Sequence, residues 1–151
     1  MGRLIKNHWA RLIILTAGAY QIAASLEGFF WPKMFFDFLT YNLDGAVKPI
    51  PILQTVNLLF GGMALGLEWP LRFVAGSKMH ESIELRLFLL PLWALTSVLM
   101  YQSTNAGLYY LVGLVVYFWA YNDGEVICEE PWTLPKRRKV VELEQQMTMK
   151  I

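Results

Sequence analysis

Residues 108–139 read LYYLVGLVVYFWAYNDGEVICEEPWTLPKRRK. Leu108 to Tyr121 carries no charge, and acids then arrive at Asp123, Glu125, Glu129 and Glu130. Two prolines stand four apart at Pro131 and Pro135, and Lys136, Arg137, Arg138 and Lys139 close the run. An apolar helix-length segment that ends in a cluster of cations reads as a transmembrane pass leaving its membrane on the cytosolic side, where Lys and Arg accumulate.

The rest of the chain agrees with that start. Its 151 residues are 56% hydrophobic and 17% charged, against about 45–50% and about 25% in an ordinary soluble domain. Crossing roughly 30 Å of hydrocarbon takes about 20 residues, with shorter spans possible. Four stretches qualify as candidates: Leu12–Trp31, Pro51–Trp69, Leu85–Tyr101 and Leu108–Tyr121. The sequence therefore predicts an all-α integral membrane protein with four transmembrane helices, over about 12–31, 51–69, 85–101 and 108–121. Residues 1–135 form the membrane domain, and 136–151 a basic cytosolic tail. Gln102–Gly107 is short enough to make the last two helices a tight hairpin.

Charge sets the orientation. Arg3, Lys6 and Arg11 precede or begin the first pass; Arg72, Lys78 and Arg86 occupy the second connection; Lys136, Arg137, Arg138, Lys139 and Lys150 lie in the tail. Only Lys33 and Lys48 are left for the opposite side. The positive-inside rule then places both termini in the cytosol. A net charge of +1 provides no global field for nucleic acid.

A secretory leader is the rival reading of the first segment, but no A-x-A-like site follows it. Phe29, Phe30 and Trp31 instead suit an interfacial aromatic belt. Lys6 stands where N-myristoylation wants Ser or Thr. Cys128 is the only cysteine, which excludes an internal disulfide and a cysteine-based zinc cluster.

Polar residues fall inside or at the edges of the first two passes: Gln21, Glu27, Gln54, Asn57 and Glu68. Counting from the outer interface at about 1.5 Å per residue puts Glu27 at roughly the depth of Gln54 and Asn57. An intramembrane carboxylate is a functional-site candidate; a bonded or snorkelling Glu27 is the plainer alternative. Small residues recur at four-residue spacing in Ala19 and Ala23, Ala24 and Gly28, and Gly62 and Gly66. Such faces let helices approach closely in lipid, whether within the bundle or against a partner.

Nothing resembles a catalytic signature. His8 and His80 lie in cytosolic segments, away from the depth at which haem ligands are needed. No H-E-x-x-H, G-x-S-x-G, Walker or dinucleotide-binding pattern occurs, and no carboxylate spacing suggests a metal site. Two alternatives stay open. One is a four-pass protein that binds or moves a small lipid or ion near Glu27 and Asn57. The other is a sterol-isomerase-like enzyme assembled from Glu27, Trp31, Trp93 and Trp119.

The ends of the chain carry a resemblance. Met1-Gly2, then Trp9-Ala10, then the aliphatic run Leu12-Ile13-Ile14-Leu15-Thr16-Ala17-Gly18 are similar to the start of the small transmembrane subunit of the NADPH oxidase flavocytochrome b. The second pass ends in Glu68-Trp69-Pro70 with Arg72 following, Arg86 lies near the start of the next pass, and Gly124-Glu125 follow the last pass, with Pro131, Trp132 and Pro135 downstream. The order of these features over almost the whole chain resembles that family, and in particular its fungal NoxD-type counterpart in the endoplasmic reticulum.

The resemblance implies a non-catalytic partner subunit in a heterodimer with the catalytic oxidase subunit, supporting its maturation and superoxide production in the endoplasmic reticulum or plasma membrane. Haem and FAD would belong to the partner, with no cofactor on this chain. It also marks Trp9, Glu68, Trp69, Pro70, Arg86, Gly124, Glu125, Pro131, Trp132 and Pro135 as partner-binding candidates, to which the small-residue spacing adds Gly62 and Gly66. Two departures stand out. The first outer connection, Pro32 to Pro49, is long and aromatic. Pro131 and Pro135 break the P-x-x-P spacing an SH3 domain requires, so SH3 binding is not carried over. The acids of the strap are expected to meet the basic second connection or a partner, and Val140, Leu143 and Met147 form a weak stripe beyond.

Overall fold

The computed structural model describes residues 5–33, 50–69 and 74–128, together with 45, 46, 48 and 72. Among them the chain is all-helical. Helix α1 runs Lys6–Phe30, α2 Ile52–Glu68, the short α3 Lys78–Glu81, α4 Ile83–Leu99 and α5 Thr104–Asn122. The expected helix starts differ most at α1, which begins six residues before Leu12. The turn between α4 and α5 is the 3-10 segment Tyr101–Ser103, placed earlier than Gln102–Gly107. Helix α5 already begins at Thr104 because Ser103 turns back, its hydroxyl donating to the Ser97 carbonyl at 3.0 Å.

Helix ends are built from local chemistry. Ser82 caps α4, its hydroxyl oxygen accepting from the Leu85 amide at 3.0 Å. Helix α5 ends where Gly124 takes φ +66°, a left-handed conformation that is costly for a residue with a Cβ. Pro91 sits inside α4 on its exposed side, where the lost amide bond lies away from the packed faces.

Helix α1 is the hub. It packs along α2 and along α5, α5 packs along α4, and α2 meets α4 more sparsely. The antiparallel bundle therefore runs α2, α1, α5, α4 around its axis, with the start of α1 and the end of α5 at the same end. Small residues make the close approaches. A Cβ on Gly18 would lie 3.2 Å from the Gly61 carbonyl oxygen, and one on Gly107 would lie 2.5 Å from Val98 Cγ2. Gly113 gives way in the same manner to Ile14 of α1.

The core is thin: Ala10, Ile14, Ala17, Ala64, Leu90, Trp93, Ala94, Ala106, Tyr110 and Tyr117. The outside is greasy along every long helix, with Leu12, Tyr20 and Leu26 on α1, Leu59 and Met63 on α2, Phe88 and Leu95 on α4, and Leu108, Val112, Val115 and Phe118 on α5 all exposed. The buried set meanwhile includes Asn7, Arg11, Gln21, Gln54, Asn57, Glu68, His80 and Arg86. By length and composition, α1 alone among the described residues is long and apolar enough to cross a membrane, and α2 is a shorter apolar helix.

Candidate functional site

Two polar layers cross the bundle, and each ties together the same four long helices. The first lies at the end that holds the termini. Arg11 stands five residues into α1, Glu68 is the last residue of α2, Arg86 stands three into α4, and Tyr117 five before the end of α5. Glu68 is the centre. Its Oε1 accepts from Arg86 Nε at 2.9 Å; its Oε2 accepts from the Tyr117 hydroxyl at 2.6 Å and from Arg11 Nε at 3.4 Å.

Arg86 spends its remaining donors on main-chain oxygens. Nη1 donates to the His80 carbonyl at 2.6 Å and the Ser82 carbonyl at 3.0 Å, and Nη2 to the Leu67 carbonyl at 3.2 Å. Its guanidinium also lies 5.7 Å over the Tyr117 ring. The Leu67 contact is at the C-terminus of α2, where the helix dipole favours a cation. Arg86 thus joins α4 to α2, α3 and α5 in one planar fork, a task suited to guanidinium rather than ammonium geometry.

His80 completes this layer from α3. Its Nε2 is 3.4 Å from Arg11 Nη2. A guanidinium only donates, so Nε2 accepts and the ring proton sits on Nδ1. Burial first, then the Arg86 and Arg11 charges, lower the His80 pKa to about 4, with Glu68 acting weakly the other way.

The second layer is about 15 Å further along α1 at 1.5 Å per residue. Gln21 is its centre: Oε1 accepts from the Tyr110 hydroxyl at 2.6 Å, and Nε2 donates to Asn57 Oδ1 at 2.8 Å. Asn57 Nδ2 then donates to the Leu53 carbonyl at 2.9 Å and the Thr96 carbonyl at 3.0 Å. Beyond it, Gln54 Nε2 donates to the Gly28 carbonyl at 3.3 Å.

This arrangement corrects the sequence reading at several points. Glu27 does not join Gln54 and Asn57; it is exposed on α1. Gln21, six positions earlier, occupies the inward place. Six residues are about one and two-thirds turns, so depth alone could not decide which face each residue takes. Arg11, counted as a flanking cation, is buried within the bundle. His80, expected in an open cytosolic connection, is fully enclosed. The strap acids do not meet the second connection where they are described: Glu125 and Asp123 bind the start of α1.

The remaining candidates separate into three groups. Glu68 and Arg86 face inward and bind each other. Trp9 and Trp69 are exposed, Gly62 and Gly66 have nothing within 4 Å of an added Cβ, and Gly124 forms the turn after α5. Pro70, Pro131, Trp132 and Pro135 lie outside the described residues, as does the basic tail.

The aromatic pocket imagined for a sterol-type reaction is not assembled. Trp93 is buried beside Tyr110 at 5.9 Å between ring centroids, whereas Trp31 and Trp119 are exposed. Trp119 stacks under Lys6 Nζ at 4.4 Å, at the terminal end of the bundle. Among the described residues no group of three or more His, Cys, Asp or Glu could hold a metal ion. Among the described residues, the first layer consists of donors arranged on one carboxylate, which cross-links the helices.

The chain belongs to the family described as a domain of unknown function (DUF7727), whose model matches residues 1–125. No curated protein and no solved structure matches the chain. The matched span ends at Glu125, so it takes in both polar layers and the residue that caps α1.

Proposed function

We propose that this member of the DUF7727 family is a four-pass membrane protein that works as a non-catalytic partner subunit. One observation carries the membrane reading: polar and charged side chains are paired inside the bundle while its long helices present apolar residues outward. In water that distribution would expose a continuous apolar belt; in lipid it is the arrangement that leaves backbone and charges satisfied. Helices α2, α4 and α5, with 17, 17 and 19 residues, would span roughly 25–29 Å, near the hydrocarbon thickness of about 30 Å. Both termini then lie in the cytosol.

The partner reading is supported by the open glycine face of α2, where Gly62, Met63 and Gly66 would admit another helix at short distance. Catalysis is assigned to the partner because both polar layers are used up in holding helices together. The partner's identity rests on the resemblance of the chain ends to the small flavocytochrome b subunit. We assign it as the haem- and flavin-bearing oxidase subunit, met in the endoplasmic reticulum and stabilised there. Glu68 and Arg86 drop out of the docking surface in this reading, since they face inward, and Trp9, Gly62, Gly66 and Trp69 remain.

Affinity purification of the full chain from native membranes in mild detergent tests it. A stoichiometric large multi-pass partner with a haem Soret band is expected, and the isolated chain should show none. Recovery of the chain alone or only with itself would end the partner reading. Release of the chain by alkaline carbonate would end the membrane one.

A further inference from the structure

Helix α3 is held to the rest of the molecule in an unusual manner: His80 is its only buried residue. Lys78, Met79 and Glu81 are exposed. Two contacts seat it among the described residues, and a third braces its own turn. Arg86 Nη1 takes the His80 carbonyl, Arg11 Nη2 donates to His80 Nε2, and the Ser77 side chain accepts from the His80 amide at 3.2 Å within the turn itself. His80 Nδ1 is buried and meets no acceptor among the described residues.

We infer that α3 is a proton-released cap on the first polar layer, seated while His80 is neutral and expelled when its ring is protonated. The groups facing the ring decide this. Arg11 comes from α1, Arg86 from α4 and Glu68 from α2, and Tyr117 of α5 reaches the same Glu68. Among the described residues, two guanidiniums and one carboxylate act on the ring. Protonation converts Nε2 from the acceptor of the Arg11 bond into a second donor, and places a third cation beside two others in a buried site. A buried charge without a matched partner is strongly disfavoured, whereas the ring is freely hydrated once α3 swings out.

The sign follows from the direction of the shift. The seated ring has a pKa lowered to about 4, below the ordinary value near 6.5. Seating is therefore fully present above about 6.5 and is lost as pH falls towards the lowered value. Release uncovers Arg11 and the end of α2, exposing at the terminal end of the bundle a cationic surface that the neutral-pH state conceals. This inference does not depend on the partner reading.

Hydrogen exchange of the full chain in lipid nanodiscs tests it, read as protection factors for residues 77–82 from pH 8 to pH 4. Wild type should lose at least tenfold protection there below pH 6, while residues 104–122 keep theirs. His80→Gln, which retains an acceptor but does not titrate, should hold α3 protection constant over the range. Equal acid loss in His80→Gln would overturn the inference. A second measurement needs no variant: the His80 ring resonances in wild type should titrate together with loss of α3 protection. Protonation of His80 with α3 still protected, or α3 protection unchanged down to pH 4, would also overturn it.

Discussion

The carboxylate of Glu125 caps the helix that begins at Lys6. Its Oε1 accepts from the Lys6 amide at 3.0 Å and its Oε2 from the Asn7 amide at 2.8 Å. Ile5 occupies the N-cap position and offers no side-chain acceptor, so the Lys6 and Asn7 amides are satisfied from beyond the end of α5. Lys6 reinforces the clasp through its ammonium, which pairs with Asp123. Asn7 Nδ2 also donates to the Val126 carbonyl at 3.4 Å, and Ile127 is buried in the core.

Glu125→Ala should therefore fray the first turn of α1 without unfolding the bundle. Loss of a helix cap costs about 0.5–2 kcal/mol, and a negative group at a helix N-terminus is favourable in its own right. Amide exchange at residues 6–9 should accelerate about tenfold while α4 is unaffected. Asp123→Asn should matter less, because a part-exposed ion pair contributes about 0–1 kcal/mol. Equal protection of residues 6–9 in Glu125→Ala and wild type would contradict the cap.

Glu68 is the position where one substitution should do most damage. Removing its charge takes from the buried Arg11 and Arg86 the carboxylate they share, and breaking one side of a buried ion pair typically costs about 3–5 kcal/mol. Glu68→Gln keeps shape and some hydrogen bonding, so its loss in thermal stability isolates the charge. Arg86→Lys should also be poorly tolerated, since an ammonium cannot reach Glu68 and three carbonyls from one plane. Thermal unfolding in detergent measures both. A Glu68→Gln midpoint within a degree or two of wild type would remove the first layer from any account of stability.

The four long helices and their order were legible because the relevant signals are local: apolar length, the basic connections, and Gly124 after the last helix; the short α3 was not, since four residues carry no such signal. The polar interior was legible only in part. Asn57 and Gln54 stood out as amides in apolar runs and do face inward. Glu27 stood out for the same reason and does not, because rotation about the helix axis is set by packing of Gly18 on Gly61, which no hydropathy count contains. Arg11 and His80 read as flanking groups since charge near a helix end has a ready explanation at the surface. The signal that was available lay in α1 itself: Arg11, Ile14, Gly18, Gln21, Ser25 and Gly28 follow a three-to-four residue spacing and are all buried. The link from Glu125 to Lys6 spans nearly the whole chain and has no sequence signature.

The glycines divide into two classes with opposite expectations. Gly113→Leu should destabilise the bundle, since its side chain would enter the space of Ile14, and overpacking commonly costs about 1–3 kcal/mol. A Cβ added at Gly62 has no described residue within 4 Å, so Gly62→Leu should leave thermal stability unchanged. If Gly62 and Gly66 contact a partner, the Gly62→Leu chain should fold normally and co-purify with much less of it. Normal recovery of the partner from a folded Gly62→Leu chain would place the docking surface elsewhere.

The second layer allows a sharper measurement, because Gln21 and Tyr110 touch through one hydrogen bond at 2.6 Å. Tyr110→Phe removes the hydroxyl donor and leaves the ring against Trp93; Gln21→Leu removes the acceptor and also frees Asn57 Oδ1. In the membrane reading the competing state has no water to satisfy these groups, yet measured interhelical bonds in lipid average only about 0.6 kcal/mol and reach about 1.7. A double-mutant cycle on unfolding free energy should therefore give a coupling of about 0.6–1.7 kcal/mol between Gln21 and Tyr110. Gln21→Leu alone should cost more than Tyr110→Phe alone, since it breaks the relay to Asn57 and α4 as well. A coupling indistinguishable from zero would mean that the layer fills space without joining α1 to α5. The reverse order of the single costs would mean that the Asn57 arm contributes nothing.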